Sequence, residues 1–595
     1  MQDQHRQVGT SRAQSEYDLS VSDSQFWRIM RYFLPVWYLF AIGIALAVVA
    51  DAANIARPYI IKIIIDDYLG LERFEYNAIF RLGMTYFLVV FGAAIVRYFQ
   101  TQAVSLMGRK VVHRIRTELF NHVQHMSMSF FDNNSSGSIL TRILNDVEAL
   151  SEFYSSIVVT LVQDVVLIIG IIGTMLVLDV KLTLYASVLI PPVTLFMVWY
   201  RNMAHKNYVL IKAKLSQVNS FLAENINGMR LVQLFNRQKE KLGIFHQLGQ
   251  EYYDLGFREI MLNSLGHPFM EVINNLSAAV MIVVFSGNIE AGLLEVGTLY
   301  AFITYIKQIF DPISNLAQEF NSIQSAFVSA QRIFKIMDNL EDLEDLNEGE
   351  HLASCQGRIE FKHVWFAYNE ENWVLKDVSF VIEPGQTIGF VGATGSGKST
   401  IISLIARFYT IQKGEILLDG RNINELNLTS LRQNIAVVMQ DVFLFSGDIA
   451  HNIRLNNVAE ISDDQIREAA EMIGADRFIN SLPGDLKHPV MERGATFSAG
   501  QRQLVSFARA MAFTPKVLVL DEATASIDTE TELLIQDAMR AASKDRTTLI
   551  IAHRLSTIRE ADQIIVLAYG EIIEQGRHDE LIDLGGRYAE LYKLA

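Results

Sequence analysis

The stretch Gly392-Ala393-Thr394-Gly395-Ser396-Gly397-Lys398-Ser399-Thr400 decides the fold of the second half of this 595-residue chain. It fits the pattern G-x-x-x-x-G-K-[ST] of a phosphate-binding P-loop. The apolar run Thr387–Val391 before it predicts a buried strand, and Ile401–Ile405 after it predicts the start of a helix. Because the motif requires this order of strand, loop and helix, the sequence predicts an α/β nucleotide-binding domain.

Each part of the loop has a physical role in holding phosphate. The glycines allow backbone N–H groups to turn inward around an anion, and the N-terminus of the helix adds a partial positive charge. Lys398 can reach the β and γ phosphates, and the hydroxyl of Ser399 can bind Mg²⁺. The predicted nucleotide-binding residues of this loop are Gly392, Thr394, Gly395, Ser396, Gly397, Lys398, Ser399 and Thr400.

A second motif, Val517-Leu518-Val519-Leu520-Asp521-Glu522, is an apolar strand that ends in two carboxylates, which is the Walker B pattern. Asp521 would bind Mg²⁺ through water, and Glu522 would polarise the attacking water as general base. The alternative is that the two carboxylates only cap the next helix. The order of the accompanying motifs favours the catalytic interpretation.

Between these motifs, Phe497-Ser498-Ala499-Gly500-Gln501 resembles the LSGGQ signature of the ATP-binding-cassette (ABC) proteins. The resemblance covers Gly357–Ala595 and implies that ATP and Mg²⁺ are the cofactors. It implies γ-phosphate contacts from Ser498, Gly500 and Gln501. It also implies four single-residue roles: Gln440 as the Q-loop glutamine near Mg²⁺ and the reacting water, His553 as the catalytic switch histidine, Asp528 in the D-loop, and Tyr368 stacked on adenine.

The first half of the chain is much more apolar than the second half. The whole sequence is 50% hydrophobic, and six stretches approach the ~20 residues that cross a bilayer. The alternative for a single stretch is a buried core helix, but six in one half favour membrane spans. The stretches are Trp37–Pro58, Leu82–Val104, Ser156–Leu178, Leu182–Met203, Phe269–Ile289 and Val296–Leu316. We therefore predict a membrane α-helical domain of six transmembrane helices with long cytosolic extensions, fused to an α/β P-loop nucleotide-binding domain.

The distribution of basic residues predicts the orientation. The segments after the second and fourth stretches are rich in Lys and Arg, whereas the opposite loops are short and poor in both. The positive-inside rule places both termini in the cytosol of a multi-pass protein of the cytoplasmic membrane. We expect no cleavable signal peptide.

Four segments follow from these patterns. Residues 1–22 are predicted to be a disordered cytosolic tail, and residues 23–335 a transmembrane domain that opens with an amphipathic elbow helix. Residues 336–356 are predicted to be a solvated acidic linker, and residues 357–595 the ABC nucleotide-binding domain. Two cytosolic loops, around Phe130-Phe131-Asp132 and around Ala223–Gly228, resemble the coupling loops of ABC exporters of the multidrug and lipid type.

Net charge limits the kinds of partner to expect, and cysteine content limits the possible disulfides. The net charge is −15, and no basic patch interleaved with aromatic residues occurs in the second half, so nucleic acid is not expected as a partner. The single cysteine, Cys355, excludes an intrachain disulfide, and a reduced structural thiol is expected. The expected partners are the lipid bilayer and an amphipathic small molecule.

The resemblance implies a dimer, because in ABC proteins ATP lies between the P-loop of one domain and the signature of its partner. Here the third signature position is Ala499, where the family prefers glycine, while Glu522 is retained. This pairing resembles the subunit of an asymmetric heterodimer that keeps its glutamate and has an altered signature. The alternative is a homodimer that tolerates the alanine.

The expected function is ATP-driven export of amphipathic compounds. A homodimeric lipid flippase, a peptide exporter and a nucleotide-gated regulatory membrane ATPase are the alternatives. Polar residues inside the apolar stretches, such as Asp51, Gln163 and Asp164, either line a substrate path or tie helices together. The aromatic residues Phe269, Phe302, Tyr305 and Phe310 either line a cavity or face lipid.

Overall fold

A computed structural model gives the structure of this protein. It describes residues 23–69, 75–188, 190–290, 295–340, 342–346, 348–352, 354–369, 372–455, 461–521, 529–551 and 558–594. The described residues separate into two compact units. The first unit contains those up to Gln124 and from Ser136 to Asn339, and the second contains His125–Ser135 and those from Leu340 onward.

Helices of 6 to 53 residues build the first unit. They are Asp23–Phe33, Trp37–Ile63, Tyr76–Gln124, Ser136–Thr141, Val147–Glu152, Val158–Leu178, Val180–Ser187, Ile190–Asn227, Met229–Leu234, Gln238–Glu290 and Val296–Met337. Single π-helical turns at Ile64–Leu69, Arg142–Asp146 and Phe153–Ile157 extend or join some of these helices. Within the described residues, three continuous helical segments are long and apolar enough to cross a membrane: Trp27–Leu69, Tyr76–Gln124 and Ser136–Leu178.

The predicted count of six membrane helices is therefore not confirmed. The first three predicted stretches lie in these three segments. The fourth is divided between Val180–Ser187 and Ile190–Asn227, and in the second of these helices Pro191 and Pro192 directly follow the first residue. Proline lacks the N–H that would continue a preceding helix, so a proline pair favours a new helix start. The fifth and sixth stretches lie inside long helices that also contain polar segments.

Several polar side chains in the apolar stretches bond to neighbouring helices. Gln100 Nε2 donates to Gln163 Oε1 at 3.0 Å. Gln163 Nε2 in turn donates to Asp51 Oδ1 at 3.2 Å. Asp51 and Gln100 are buried, and the three residues lie on three different helices. For this group, the structure favours the interpretation as an interhelical tie.

Three of the four aromatic residues singled out in the sequence pack inside the first unit. Phe302, Tyr305 and Phe310 are buried in an apolar cluster, so they do not face lipid. The Tyr305 hydroxyl donates to the Ile55 carbonyl oxygen at 2.7 Å. Phe269 is 39% exposed.

Twelve strands are described in the second unit. They are β1 Ile359–Phe366, β2 Leu375–Ile382, β3 Thr387–Val391, β4 Lys413–Leu418, β5 Arg421–Asn422, β6 Ile435–Val438, β7 Gly447–Asp448, β8 Pro489–Val490, β9 Val517–Asp521, β10 Thr547–Ile551, β11 Gln563–Ala568 and β12 Glu571–Gly576. One sheet has the order β12-β11-β3-β10-β9-β6, parallel except for β12, and a second, antiparallel sheet has the order β2-β1-β4-β5. A short pair, β7 and β8, is separate.

Helices cover the parallel sheet, whose strands are almost wholly apolar because both faces are buried. The helices of the second unit are Met128–Asn133, Lys398–Ile405, Leu428–Asn434, Ile449–Arg454, Asp463–Met472, Asp476–Ser481, Ala499–Ala512, Thr529–Ser543, His578–Leu584 and Arg587–Leu594. The helical first half and the α/β second half match the predicted fold class at this level.

In its described residues, the acidic stretch after Leu340 bonds to the second unit at several points, while the side chains of Asp345, Glu348 and Glu350 are exposed. Glu350 N donates to Glu425 O at 2.8 Å, and Asn427 N donates to Glu350 O at 2.8 Å. Glu344 forms an ion pair with Arg432 at 3.1 Å. Leu352 is buried in the core. Apolar residues between the acidic ones hold this stretch against the second unit. The net charge of the stretch gives no indication of these contacts.

Candidate nucleotide-binding site

The P-loop connects β3 to the helix Lys398–Ile405, as the motif predicts. Gly397 caps this helix with φ +104°, a conformation that residues with a side chain rarely adopt. A Cβ atom on Gly392 would lie 2.2 Å from the Leu567 carbonyl oxygen, so only glycine fits there. The two glycines allow the loop to turn tightly from the strand into the helix.

Lys398 is buried beneath this loop. Its Nζ donates to the carbonyl oxygens of Gly392 at 2.7 Å and Ala393 at 3.0 Å. Ser396 is also buried, and within the described part of the chain its Oγ has no hydrogen-bond partner. Ser399 is exposed on the first turn of the helix. The loop therefore combines a buried ammonium, an unused hydroxyl and a helix N-terminus, a combination that fits a phosphate group.

Tyr368 lies beside the P-loop, in the turn between β1 and β2. Its hydroxyl and the Thr400 Oγ1 are 3.2 Å apart and share a hydrogen bond. The residue is 48% exposed, which leaves part of it accessible to a ligand. This geometry fits the predicted stacking on adenine, because the ring is fixed relative to the phosphate-binding helix.

Two further predicted ligands, Gln440 and Asp521, lie at the carboxyl ends of strands of the parallel sheet. Ile551 at the end of β10 pairs with Phe390 of β3 on one side and Asp521 of β9 on the other. Strand β6 pairs in parallel with β9, so the exposed Gln440 follows at the same edge. In open α/β sheets, ligands bind at the carboxyl ends of the strands.

This edge presents oxygen atoms of three kinds: the Ser399 hydroxyl, the Gln440 amide and the Asp521 carboxylate. Mg²⁺ prefers oxygen ligands and is usually held by one or two carboxylates together with substrate phosphates. Within the described residues, no group of three or more His, Cys, Asp or Glu side chains is placed to hold a metal ion. The three oxygen groups of Ser399, Gln440 and Asp521 are of the kind that would hold Mg²⁺ beside the phosphates of a nucleotide.

The signature motif begins the helix Ala499–Ala512. Ser498 caps this helix: its Oγ accepts from Gln501 N at 3.2 Å, and Gln501 Oε1 accepts from Ser498 N at 2.9 Å. This reciprocal capping box satisfies two otherwise unpaired N–H groups. Gly500 is buried, while Ala499 is exposed. The methyl group of Ala499 therefore lies at the surface of this chain.

Two residues that support the site, Asn452 and Arg509, were not predicted from the sequence. Asn452 is fully buried; its Oδ1 accepts from Phe445 N at 2.7 Å, and its Nδ2 donates to Phe445 O at 2.8 Å. Arg509 of the signature helix donates to the Asn452 carbonyl oxygen at 2.8 Å, and burial lowers the pKa of its guanidinium. These bonds connect the segment that follows Gln440 to the signature helix. No sequence spacing links the residues, so only the fold reveals them.

Three predicted site residues lie outside the described residues: Glu522, Asp528 and His553. Their assigned roles remain predictions. The flanking positions Asp521 and Ile551 are described, as the last residues of β9 and β10.

Comparison with known protein families gives a match for each half of the chain. Residues 40–313 match the family profile described as "ABC transporter transmembrane region". Residues 375–525 match the profile described as "ABC transporter". Together the two matches span both the apolar first half and the P-loop, signature and Walker B motifs.

Individual relatives are similar over most of their length. The "Probable multidrug resistance ABC transporter ATP-binding/permease protein YheH" of Bacillus subtilis is 39% identical over 520 residues, which are 86% of this chain and 77% of that protein. The "Fatty acid ABC transporter ATP-binding/permease protein" of Mycobacterium bovis is 37% identical over 499 residues, 84% of this chain and 79% of that protein. The "ATP-dependent lipid A-core flippase" of Syntrophus aciditrophicus is 32% identical over 573 residues, 96% of this chain and 94% of that protein.

Proposed function

This chain belongs to the ABC transporters, with a transmembrane region and an ATP-hydrolysing domain fused in one chain, and from that membership we propose that it exports amphipathic compounds across the cytoplasmic membrane. ATP hydrolysis coupled to transport follows from the family. The similarity to whole relatives named for multidrug resistance, fatty acids and lipid A-core carries the proposal for the cargo. What these cargoes share is an amphipathic or lipid-like character.

The residues of the site have separable roles in this proposal. Lys398, Ser396 and the P-loop N–H groups hold the phosphates, and Tyr368 orients the base. Bound Mg²⁺, held through Ser399, Gln440 and Asp521, would neutralise phosphate charge as the terminal group leaves. Glu522 takes a proton from the attacking water, and His553 supports the same step.

The working unit in this proposal is a dimer. Ser498, Gly500 and Gln501 present their helix N-terminus to a nucleotide held by a second chain, and Asp528 lies in the adjoining D-loop. A further support is the helix Met229–Leu234 in the second predicted coupling loop. Its Leu231 and Leu234 are 63% and 73% exposed, an apolar surface that a partner chain would cover.

We further assign the partner as a different half-transporter. The support is the pairing of a retained Glu522 with Ala499 in the signature. A homodimer would place Ala499 at both ATP sites, whereas a heterodimer confines it to one. The lipid bilayer and an amphipathic small molecule are the other partners.

For the membrane domain we retain six spans with both termini in the cytosol. Three apolar helices among the described residues and the basic loops support this arrangement. The four-segment division, with its tail at 1–22, membrane domain at 23–335, linker at 336–356 and nucleotide-binding domain at 357–595, also remains our proposal.

Vesicle transport tests the proposal directly. Inside-out vesicles that contain the transporter should accumulate several amphipathic dyes or fluorescent lipids when ATP is added. Vesicles with Lys398→Ala are the matched control and should accumulate none. ATP hydrolysis without movement of any dye or lipid would contradict export and favour the regulatory membrane ATPase.

A further inference from the structure

A short piece of the first half of the sequence, His125–Ser135, folds with the second unit; we call it the coupling segment. Ser127 N donates to Asp342 O at 2.6 Å, and Ser129 Oγ donates to Asp342 Oδ1 at 2.9 Å. Met126 forms an antiparallel bridge with Leu343. Backbone and side-chain bonds thus fix the position of the segment within this unit.

Tyr409 contacts this segment with its polar end. Its hydroxyl donates to the carboxylate of Asp132. Burial, and then the neighbouring Asp132, raise the pKa of Tyr409, which keeps the phenol protonated as a donor. Two residues before it, Arg407 adopts φ +49° and donates to the Leu426 carbonyl oxygen at 2.6 Å. Tyr409 therefore follows a backbone turn that is itself anchored.

The ring of Tyr409 contacts the adenine side of the nucleotide site. It lies perpendicular to the ring of Tyr368, with centroids 5.0 Å apart and an interplanar angle of 89°. Tyr368 is bonded in turn to Thr400 on the phosphate-binding helix. A single side chain thus contacts Asp132 through its hydroxyl and Tyr368 through its ring.

We propose that Tyr409 is a positioning residue that links adenine binding at Tyr368 to the coupling segment at Asp132. The inference rests on the proposed function, because it requires that Tyr368 stacks on adenine. Tyr409 itself does not touch the nucleotide; it fixes the orientation of the ring that does.

Thermodynamic reciprocity gives the link a measurable consequence. If adenine binding restricts the ring of Tyr368, and that ring holds Tyr409 against Asp132, then the Asp132 contact must change ATP affinity by the same factor. A residue that only stabilises the local fold would change the binding of every phosphate ligand alike. The base is therefore the part of the nucleotide that distinguishes the two roles.

The variants separate the two ends of Tyr409. Tyr409→Phe keeps the ring and removes the bond to Asp132, Tyr409→Leu removes both contacts, and Asp132→Ala removes the acceptor. Asn133→Ala is the matched control, because Asn133 is an exposed polar neighbour whose side chain bonds to the Ser129 carbonyl oxygen of its own helix. The assembled full-length transporter is used throughout.

Three quantities are measured: the KM for ATP, kcat at saturating ATP, and the inhibition constant of tripolyphosphate, which has no base. We expect Tyr409→Leu to raise the KM roughly two- to tenfold, as the loss of an aromatic pair implies. Tyr409→Phe and Asp132→Ala should raise it less and equally, and their double variant should be no worse than either. The inhibition constant of tripolyphosphate should not change, and Asn133→Ala should behave as wild type.

Two results would overturn the role of Tyr409. One is an equal shift for ATP and tripolyphosphate, which indicates a general disturbance of the P-loop. The other is an unchanged KM in all Tyr409 and Asp132 variants while Tyr368→Ala raises it. If Tyr368→Ala leaves the KM unchanged, adenine binds elsewhere, and both the proposed adenine site and this inference fail. Vesicle transport tests export separately.

Discussion

The Lys398 ammonium donates to the Gly392 carbonyl oxygen at 2.7 Å, so the lysine lies folded against the beginning of its own P-loop. Phosphate binding would exchange these carbonyl contacts for contacts to an anion. We predict that Lys398→Ala weakens ATP binding roughly ten- to a hundredfold, since a hydrogen bond to a charged group contributes about 1.5–3 kcal/mol. Titration of the purified transporter with a fluorescent ATP analogue measures this.

A control variant lies one turn further along the same helix. Ser403 Oγ donates to the Ser399 carbonyl oxygen at 3.1 Å, a bond internal to the helix. Ser403→Ala should bind ATP within about twofold of wild type, because one such neutral bond contributes about 1 kcal/mol at most to helix stability and none to phosphate. Equal losses in both variants would mean that helix stability, and not the lysine charge, limits binding.

Glu522→Gln should separate binding from hydrolysis. The residue follows Asp521, the last residue of β9, and its proposed role is to take a proton from water. We expect ATP affinity to be retained and phosphate release to fall by about 10²- to 10⁴-fold, the usual contribution of a general base. Single-turnover phosphate release and ATP binding are measured together. Near-normal turnover would exclude Glu522 as the base, and Glu532→Gln on the following helix serves as the acidic control.

Variants of Tyr368 can test adenine stacking by the ring separately from the hydrogen bond of the hydroxyl. Tyr368→Ala should weaken ATP binding by about 1–3 kcal/mol, by analogy with base–aromatic stacking. Tyr368→Phe removes only the bond to Thr400, so it should retain most of the affinity. Tyr368→Trp should also bind well because it keeps a flat ring. Equal binding by the Ala and Trp variants would show that the ring does not stack on the base.

Individual strands and helices were predictable from the sequence, because neighbouring residues largely determine them. The sequence predicts a strand at Thr387–Val391 and a helix after the P-loop, and the structure confirms both. In each case a short apolar run next to a glycine-rich turn contains enough information to fix the element.

Long-range contacts were not predictable. Asn452 and Arg509 are held together by the fold alone, and Tyr409 meets Asp132 across a sequence separation of 277 residues. Neither pair belongs to a spaced motif. The acidic stretch near Glu350 is a related case: its charge predicts exposed side chains, whereas the burial of Leu352 and the backbone bonds of Glu350 depend on contacts that are distant in sequence.

The thiol of Cys355 should be unreactive at neutral pH. Burial, reinforced by the Asp419 carboxylate, raises its pKa to about 12. An ordinary thiol ionises near pH 8.5, so at pH 8 the folded protein should contain about a thousandfold less thiolate than the denatured chain. Alkylation by iodoacetamide, followed by mass spectrometry with and without denaturant, measures the difference.

The raised pKa of Cys355 also determines how its contribution to protein stability changes with pH. The unfolded chain loses this proton at a lower pH than the folded chain does, so the folded state binds more protons between the two values. The contribution of Cys355 to stability is therefore complete below about pH 8.5 and declines as the pH rises toward 12. Rapid alkylation of the native protein at pH 8 would contradict the raised value.

Ala499 provides the test of a heterodimer. Its methyl group is exposed at the start of the signature helix and makes no part of the capping box between Ser498 and Gln501. Ala499→Gly should therefore leave the fold intact and act only on a nucleotide presented by a partner chain. In a heterodimer that site mainly holds ATP, so we expect turnover to change by less than about threefold, a free-energy difference below about 0.7 kcal/mol.

The same substitution gives a different result in a homodimer. There Ala499 faces the nucleotide at both hydrolysing sites, so restoring glycine should alter turnover at each of them. ATPase activity of the chain purified alone, with and without Ala499→Gly, decides between the two assemblies. Robust, drug-stimulated hydrolysis and transport by the pure chain would exclude the obligate heterodimer and leave export itself intact. Weak hydrolysis that a co-expressed second half-transporter restores, and that Glu522→Gln in this chain alone then abolishes, is the outcome that unequal ATP sites require.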